Sequence, residues 1–194
     1  MRCLLLVLDL SWKGEYAGVV QALRELRNDV DVAVLAPDLN VNYRYDLYIE
    51  MHRYDLEKLG ADYDAVGIVG GYRMYYLVTG KRFPRRSLEI KLDLSTLERI
   101  ILAAAKNDRL IIAPAAAPAF IAKLGLLRGR KATVYPTTDL IRILEENGAT
   151  FINKTAVRDG NYVTMKRVEV DELKRCLAEN VAETSASEIR QKTP

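Results

Sequence analysis

The sequence predicts a three-layer α/β/α sandwich built on a mostly parallel sheet, and three observations carry that prediction. Short continuous apolar runs recur at Cys3–Leu8, Val30–Leu35, Asp64–Val69 and Leu110–Ala113, the pattern of strands buried on both faces. Amphipathic stretches with helical spacing separate them. Breakers follow three of the runs, at Pro37, Gly70 and Pro114. Strands alternating with helices imply parallel strands joined by crossovers. A chain of 194 residues suffices for one domain with a real core. Residues 1–183 are assigned to that domain and 184–194 to a polar, frayed tail.

Composition narrows the function classes. The net charge is +3 with both signs interspersed, too mild for a nucleic-acid partner and without a Lys/Arg block. Cys3 and Cys176 stand at opposite ends of the chain, as in a reduced, cytoplasmic protein. Cys3 lies in an apolar run and reads as a small buried hydrophobe. Met1–Leu8 is too short for a signal peptide or a membrane span and runs straight into Asp9, so no membrane partner is expected. A single histidine, His52, leaves no His-rich metal site. Plentiful charge with scarce Gln and His points, by composition alone, to a thermophilic source.

The elements then follow in order. Cys3–Leu8 is a central strand, and Asp9–Gly14 is the loop at its carboxyl end. Glu15–Arg27 is an amphipathic helix that turns Val19, Val20, Leu23 and Leu26 inward. Val30–Leu35 is the second strand. Asn40–Gly60 is less regular and carries Tyr43, Tyr45, Tyr48, His52 and Tyr54; an extra strand or short helix over a sheet edge fits it. These tyrosines suit a subunit interface better than base stacking, because Asp46, Glu50, Asp55 and Glu57 dilute the positive charge that stacking platforms need.

Asp64–Val69 is the third strand, ending in Gly70-Gly71. Tyr72–Thr79 follows, stopped by Gly80. Lys81, Arg82, Arg85, Arg86 and Lys91 form a basic loop, read as solvated, with anion capture as the sharper alternative. Ser95 caps a helix to Asn107, and Glu98 completes a capping box. Leu110–Ala113 is a buried strand, a tight turn follows, and Pro118 opens a helix that ends near Gly125. Next come a strand at Ala132–Val134 and a helix from Thr138 or Asp139 to Asn147-Gly148. Short strands are expected at Ala149–Ile152 and Thr155–Val157. Asp159-Gly160 is a turn from which Tyr162–Met165 returns as a strand. Val170–Val181 is a final helix.

Ligand sites in parallel sheets lie outside the carboxyl ends of the strands. Three loops compete for that place: Asp9–Glu15, Gly70–Tyr72 and Pro114–Pro118. Strand, sharp turn, helix is how α/β enzymes present a nucleophile, yet this turn holds Ala115, Ala116 and Ala117. Other chemistry is thin. Ser11, Tyr72 and Tyr162 offer hydroxyls, but the one histidine base, His52, lies in the irregular stretch. Asp9 would suit a receiver-type acid, but the third strand ends without a phosphorylatable Asp. Gly70-Gly71 is not G-x-G-x-x-G, and no Walker loop exists, so no nucleotide cofactor is expected.

The three loops, with Asp62–Gly71, Ala115-Ala116-Ala117-Pro118, Gly125–Thr133, Gly148-Ala149 and Asp159–Thr164 at matching spacing, resemble the ThiJ/PfpI superfamily. The resemblance runs from the first strand to about Thr164. It implies a flavodoxin-like, class I glutamine amidotransferase-like fold. It also implies a cysteine on the elbow three residues before Pro118, where this chain has Ala115. Protease-like members carry histidine next, where this chain has Ala116. Methyl in place of thiol removes the thiolate. Glu15 matches the acidic residue that hydrogen-bonds the family's thiol. Gly70, Gly71 and Ala116 match positions whose N–H groups form its oxyanion hole. Pro114 and the stretch Thr164–Val168 depart from the family pattern. Members are commonly dimers or larger, so a homo-oligomer is expected, with Tyr43–Tyr54 as its contact surface.

The expected function is that of a ThiJ/PfpI-like protein without its nucleophile, non-catalytic or binding a small metabolite. Glu15, Gly70, Gly71, Tyr72, Ala115 and Ala116 would surround the pocket, and a small polar or carboxylate-bearing molecule would fill it. One alternative is a hydrolase or lyase with Glu15 as general base, its pKa raised by burial; a solvated glutamate favoured by the helix dipole is the opposing reading. The other is an inactivated form of a cysteine-dependent amidase, peptidase or glyoxalase. No metal and no other cofactor is expected.

Overall fold

The first strand, β1 (Arg2–Leu8), sorts its side chains by the two-residue period of an extended chain. Leu4, Leu6 and Leu8 pack into one apolar cluster, and Cys3, Leu5 and Val7 pack into another. A strand covered on both sides needs a layer on each, which fixes the three-layer architecture. The computed structural model describes residues 1–8, 13–35, 47–48, 55–82 and 94–178.

The elements after β1 are α1 (Lys13–Glu25), β2 (Asp29–Leu35), β3 (Leu47–Tyr48), α2 (Leu56–Asp62), β4 (Ala65–Val69), α3 (Gly71–Thr79) and α4 (Leu94–Lys106). Then come β5 (Leu110–Pro114), α5 (Ala117–Lys123), β6 (Lys131–Ala132), α6 (Thr138–Glu146), β7 (Thr150–Phe151), β8 (Ala156–Asp159) and β9 (Tyr162–Met165). A last helix, α7, covers 170–178.

The main sheet has seven strands in the order β3-β2-β1-β4-β5-β9-β8. Every pair is parallel except the β8–β9 hairpin. Helices α2 to α6 lie on one face, and α1 and α7 lie on the other. Helix α1 comes close to the chain before α7: a Cβ on Gly18 would stand 2.7 Å from Val168 Cγ1.

Several expectations need correction. The irregular Asn40–Gly60 stretch yields both an edge strand, β3, and a helix, α2, N-capped by the Asp55 side chain. Helix α4 already includes Leu94, so Ser95 lies inside it and is not its N-cap. The strand expected at Ala132–Val134 is only Lys131–Ala132. It pairs with β7 in a separate two-stranded sheet, because Thr133 N–H is drawn to the Thr164 hydroxyl instead. The strand expected at Thr155–Val157 is Ala156–Asp159, set by pairing with Tyr162–Met165. Helix α6 starts at Thr138, capped by the Thr137 hydroxyl that accepts Leu140 N–H. The tail 184–194, the aromatic residues Tyr43, Tyr45 and Tyr54, and His52 lie outside the described residues.

Candidate functional site

From β1 the chain moves outward to β2 and β3; from β4 it moves the other way, to β5. The order therefore reverses between β1 and β4, and in parallel sheets the carboxyl edge at such a point is where ligands bind. The helices that follow these two strands, α1 and α3, bring Glu15 and Gly71 to that edge.

Glu15 lies in the first turn of α1 and is 8% exposed. The Gly71 N–H faces the carboxyl group and favours its ionised form. The carboxyl oxygen Oε2 is buried without a hydrogen-bond partner among the described residues. Burial pushes the Glu15 carboxyl up to about 7, against the opposing pull of the Gly71 N–H. The favourable end of the α1 dipole does not rescue the charge, because desolvation of a buried carboxylate outweighs it.

Gly71 has φ 47, in the left-handed region that glycine enters at no steric cost, and this aims its N–H back at Glu15. Gly70, the N-cap of α3, is buried beneath it. A Cβ there would stand 2.3 Å from Met74 Cβ, so the turn and the helix can close only over glycine.

The elbow after β5 is the neighbouring feature. Ala115 is buried and has φ 55, a conformation that costs a side-chain-bearing residue about 1–2 kcal/mol. Two long-range bonds hold it: Ala115 N–H donates to the Met165 carbonyl at 2.9 Å, and Tyr135 N–H donates to the Ala115 carbonyl at 3.0 Å. Ala116 is the N-cap of α5 and is 3% exposed, and Pro118 occupies the first turn, where its missing N–H is harmless. Pro114 also has a positional reason. The β4–β5 register ends at Gly67–Ile112, and Pro114 has no N–H to carry it further.

The structure thus brings together Glu15, Gly70 and Gly71, and it sets Ala115 and Ala116 at the end of the adjacent strand. It does not bring in the Tyr72 hydroxyl. That ring is 53% exposed and runs along α3, its hydroxyl 2.8 Å from that of Tyr76. Neither cysteine replaces the absent thiol. Cys3 is at the amino end of β1, about 16 Å along the strand from Leu8. Cys176 is buried on α7. Asp9 and Ser11 lie outside the described residues, as does the basic stretch beyond Arg82. Lys81 pairs with Asp139, to which the Tyr75 hydroxyl also donates, and so ties the end of α3 to the start of α6.

Sequence reasoning missed Tyr135 and Met165, whose backbone groups hold the elbow; no local spacing signals such a bond. It also missed Arg73, wholly buried on α3. Among the described residues, no cluster of three or more His, Cys, Asp or Glu could hold a metal ion. No described helix is long and apolar enough to cross a membrane.

These features define a class: a parallel α/β protein with a buried carboxyl at the topological switch point and a strand–elbow–helix unit on the adjacent strand. The DJ-1/PfpI family profile matches residues 1–175, and the chain belongs to that family. Its fold is similar to that of Schizosaccharomyces pombe DJ-1, with a TM-score of 0.71 at 16% identity over 100% of both chains. It is also similar to Drosophila melanogaster DJ-1beta, with a TM-score of 0.65 at 20% identity over 94% of this chain and 89% of that one. A ThiJ/PfpI domain protein from Brachyspira murdochii gives 0.67 at 15% identity over 92% and 96%. Among curated proteins, MJ0967 of Methanocaldococcus jannaschii is 30% identical over 105 residues, 54% of this chain and 45% of that protein. The matched region therefore spans under half the length of that relative.

Proposed function

We propose that this protein is a metabolite-binding member of its family that performs no cysteine chemistry. The observation that carries the reading is Ala115, which sits in the left-handed elbow with a methyl group where a nucleophile's reactive atom would project. The ligand pocket lies between Glu15, Gly70, Gly71, Ala115 and Ala116, and a small polar molecule fills it. Tyr72 enters only through its backbone, at the first turn of α3. In this reading the protein acts in the cytoplasm as a homo-oligomer, without nucleic-acid or membrane partners.

The purified protein is expected to turn over neither methylglyoxal nor amide or peptide substrates, while a metabolite library raises its melting temperature through a few small polar members. Turnover that survives blocking of Cys3 and Cys176 would favour a second reading, in which Glu15 is a general base. Its titration near neutrality supports that reading, since a base poised near working pH is the effective one. Glu15→Gln would then abolish turnover with the fold intact.

A further inference from the structure

The Glu15 carboxyl is more than nine-tenths buried and lies against the amino end of the nine-residue helix α3, through the Gly71 N–H. Its oxygen Oε2 has no partner among the described residues. The elbow cannot supply one from its side chains, because Ala115, Ala116 and Ala117 carry only methyl groups. A buried polar atom without a partner is destabilising unless something occupies it. The first-turn N–H groups of α3 lack intrahelical acceptors, and the helix dipole places partial positive charge there. The occupant must therefore engage a carboxyl group and be drawn to a positive helix end. A cation fails the second condition, and a neutral alcohol gains nothing from it. A carboxylate meets both, because two carboxyl groups in contact can share one proton.

Resting on the metabolite-binding reading, we propose that the pocket takes a small monocarboxylate anion, with the Glu15 carboxyl donating a hydrogen bond to a ligand oxygen beside Gly71. No bond to carbon forms or breaks. One proton lies between the two carboxyl groups, and when Glu15 is ionised beforehand, that proton is taken up from solvent on binding.

The charged surroundings support this. On α3 the ionisable neighbours are Tyr72, Arg73, Tyr75 and Tyr76. Among the described side chains of the first turns of α1 it is Tyr16, and on the segment packed against Gly18 they are Arg167 and Glu169, which pair with each other at 2.6 Å. The described ends of β1 and β4 and the β5–α5 elbow contribute no ionisable side chain. None of the described charges governs the carboxyl; burial does, with the Gly71 N–H opposing it.

The test follows the Gly71 amide resonance of the full chain while sodium acetate or acetamide is added, at pH 6 and pH 8.5. Acetate is expected to bind about 30-fold more weakly at pH 8.5, because Glu15 titrates to about 7 and must regain its proton. Glu15→Gln carries a permanent N–H donor and is expected to bind acetate equally at both pH values. Glu15→Ala should lose at least about tenfold at pH 6, a loss on the scale of one hydrogen bond to a charged group. Acetamide should bind more weakly than acetate at pH 6. Equal acetate affinity at both pH values in the wild-type chain overturns the inference, as does acetamide binding as tightly as acetate. A pocket that answers to library metabolites but to neither probe also overturns it and leaves the metabolite-binding reading standing. A Gly71 signal unmoved by any small molecule removes both.

Discussion

The two edges of the sheet contrast sharply. At the amino edge, polar groups are paired. Arg2 N–H donates to Asp64 at 2.8 Å, and the Tyr63 hydroxyl donates to Asp31 at 2.7 Å. The Arg2 guanidinium lies 4.8 Å from the centre of the Tyr63 ring, and Arg109 reaches the Ala61 carbonyl. At the carboxyl edge, Glu15 keeps a buried oxygen without a partner among the described residues, and Ala115 holds a left-handed backbone. One edge secures the sheet. The other carries two destabilising features, a pattern expected where a fold serves something other than stability.

The largest test of this contrast is Glu15→Gln. The folded chain keeps a proton on Glu15 to about 7, whereas the unfolded chain releases it near 4.5. The folded state thus holds the extra proton between those values, and wild-type stability falls as pH rises from 4.5 to 7. The variant escapes that fall. Urea unfolding should find it about 3 kcal/mol more stable than wild type at pH 8 and equal to it at pH 4. Parallel curves at all pH values would show that Glu15 is not buried as a charge.

Tyr63→Phe probes the opposite edge and should act in the opposite direction. It removes the bond to Asp31 and should cost about 1–2 kcal/mol in the same assay, with little pH dependence around neutrality. A neutral outcome would mean that the amino edge is no better secured than the other. The smallest effect is expected from Ala115→Gly. Relief of the left-handed strain, reduced by the greater freedom of glycine in the unfolded chain, should leave a gain of about 0.5–1 kcal/mol, read as a higher melting temperature. A lower melting temperature would mean that the methyl group packs productively and the elbow is not strained.

Much of the architecture was legible in the sequence because it rests on local patterns. The apolar runs at Cys3–Leu8, Asp64–Val69 and Leu110–Ala113 became β1, β4 and β5. The Gly80 stop also held, with φ 66 at the end of α3. What misled were signals that compete with pairing across the fold. Ser95 has capping chemistry, but the helix winds past it. Ala132–Val134 looks extended, but Thr133 is claimed by Thr164. In the candidate site, burial of Glu15 could be anticipated only from its match to the family's acidic residue. The orphaned oxygen and the left-handed Ala115 could not, since neither depends on residues nearby in sequence.

The bond from Ala115 N–H to the Met165 carbonyl has one more consequence. It hangs the elbow on β9, which is itself held by four parallel pairs with β5 and by the hairpin to β8. The Asn161 carbonyl, in the tip of that hairpin, accepts the Ile111 N–H at 2.8 Å, so the strand is moored near the start of β5 as well as at the elbow. β9 thus acts as a splint along β5, tied at both ends.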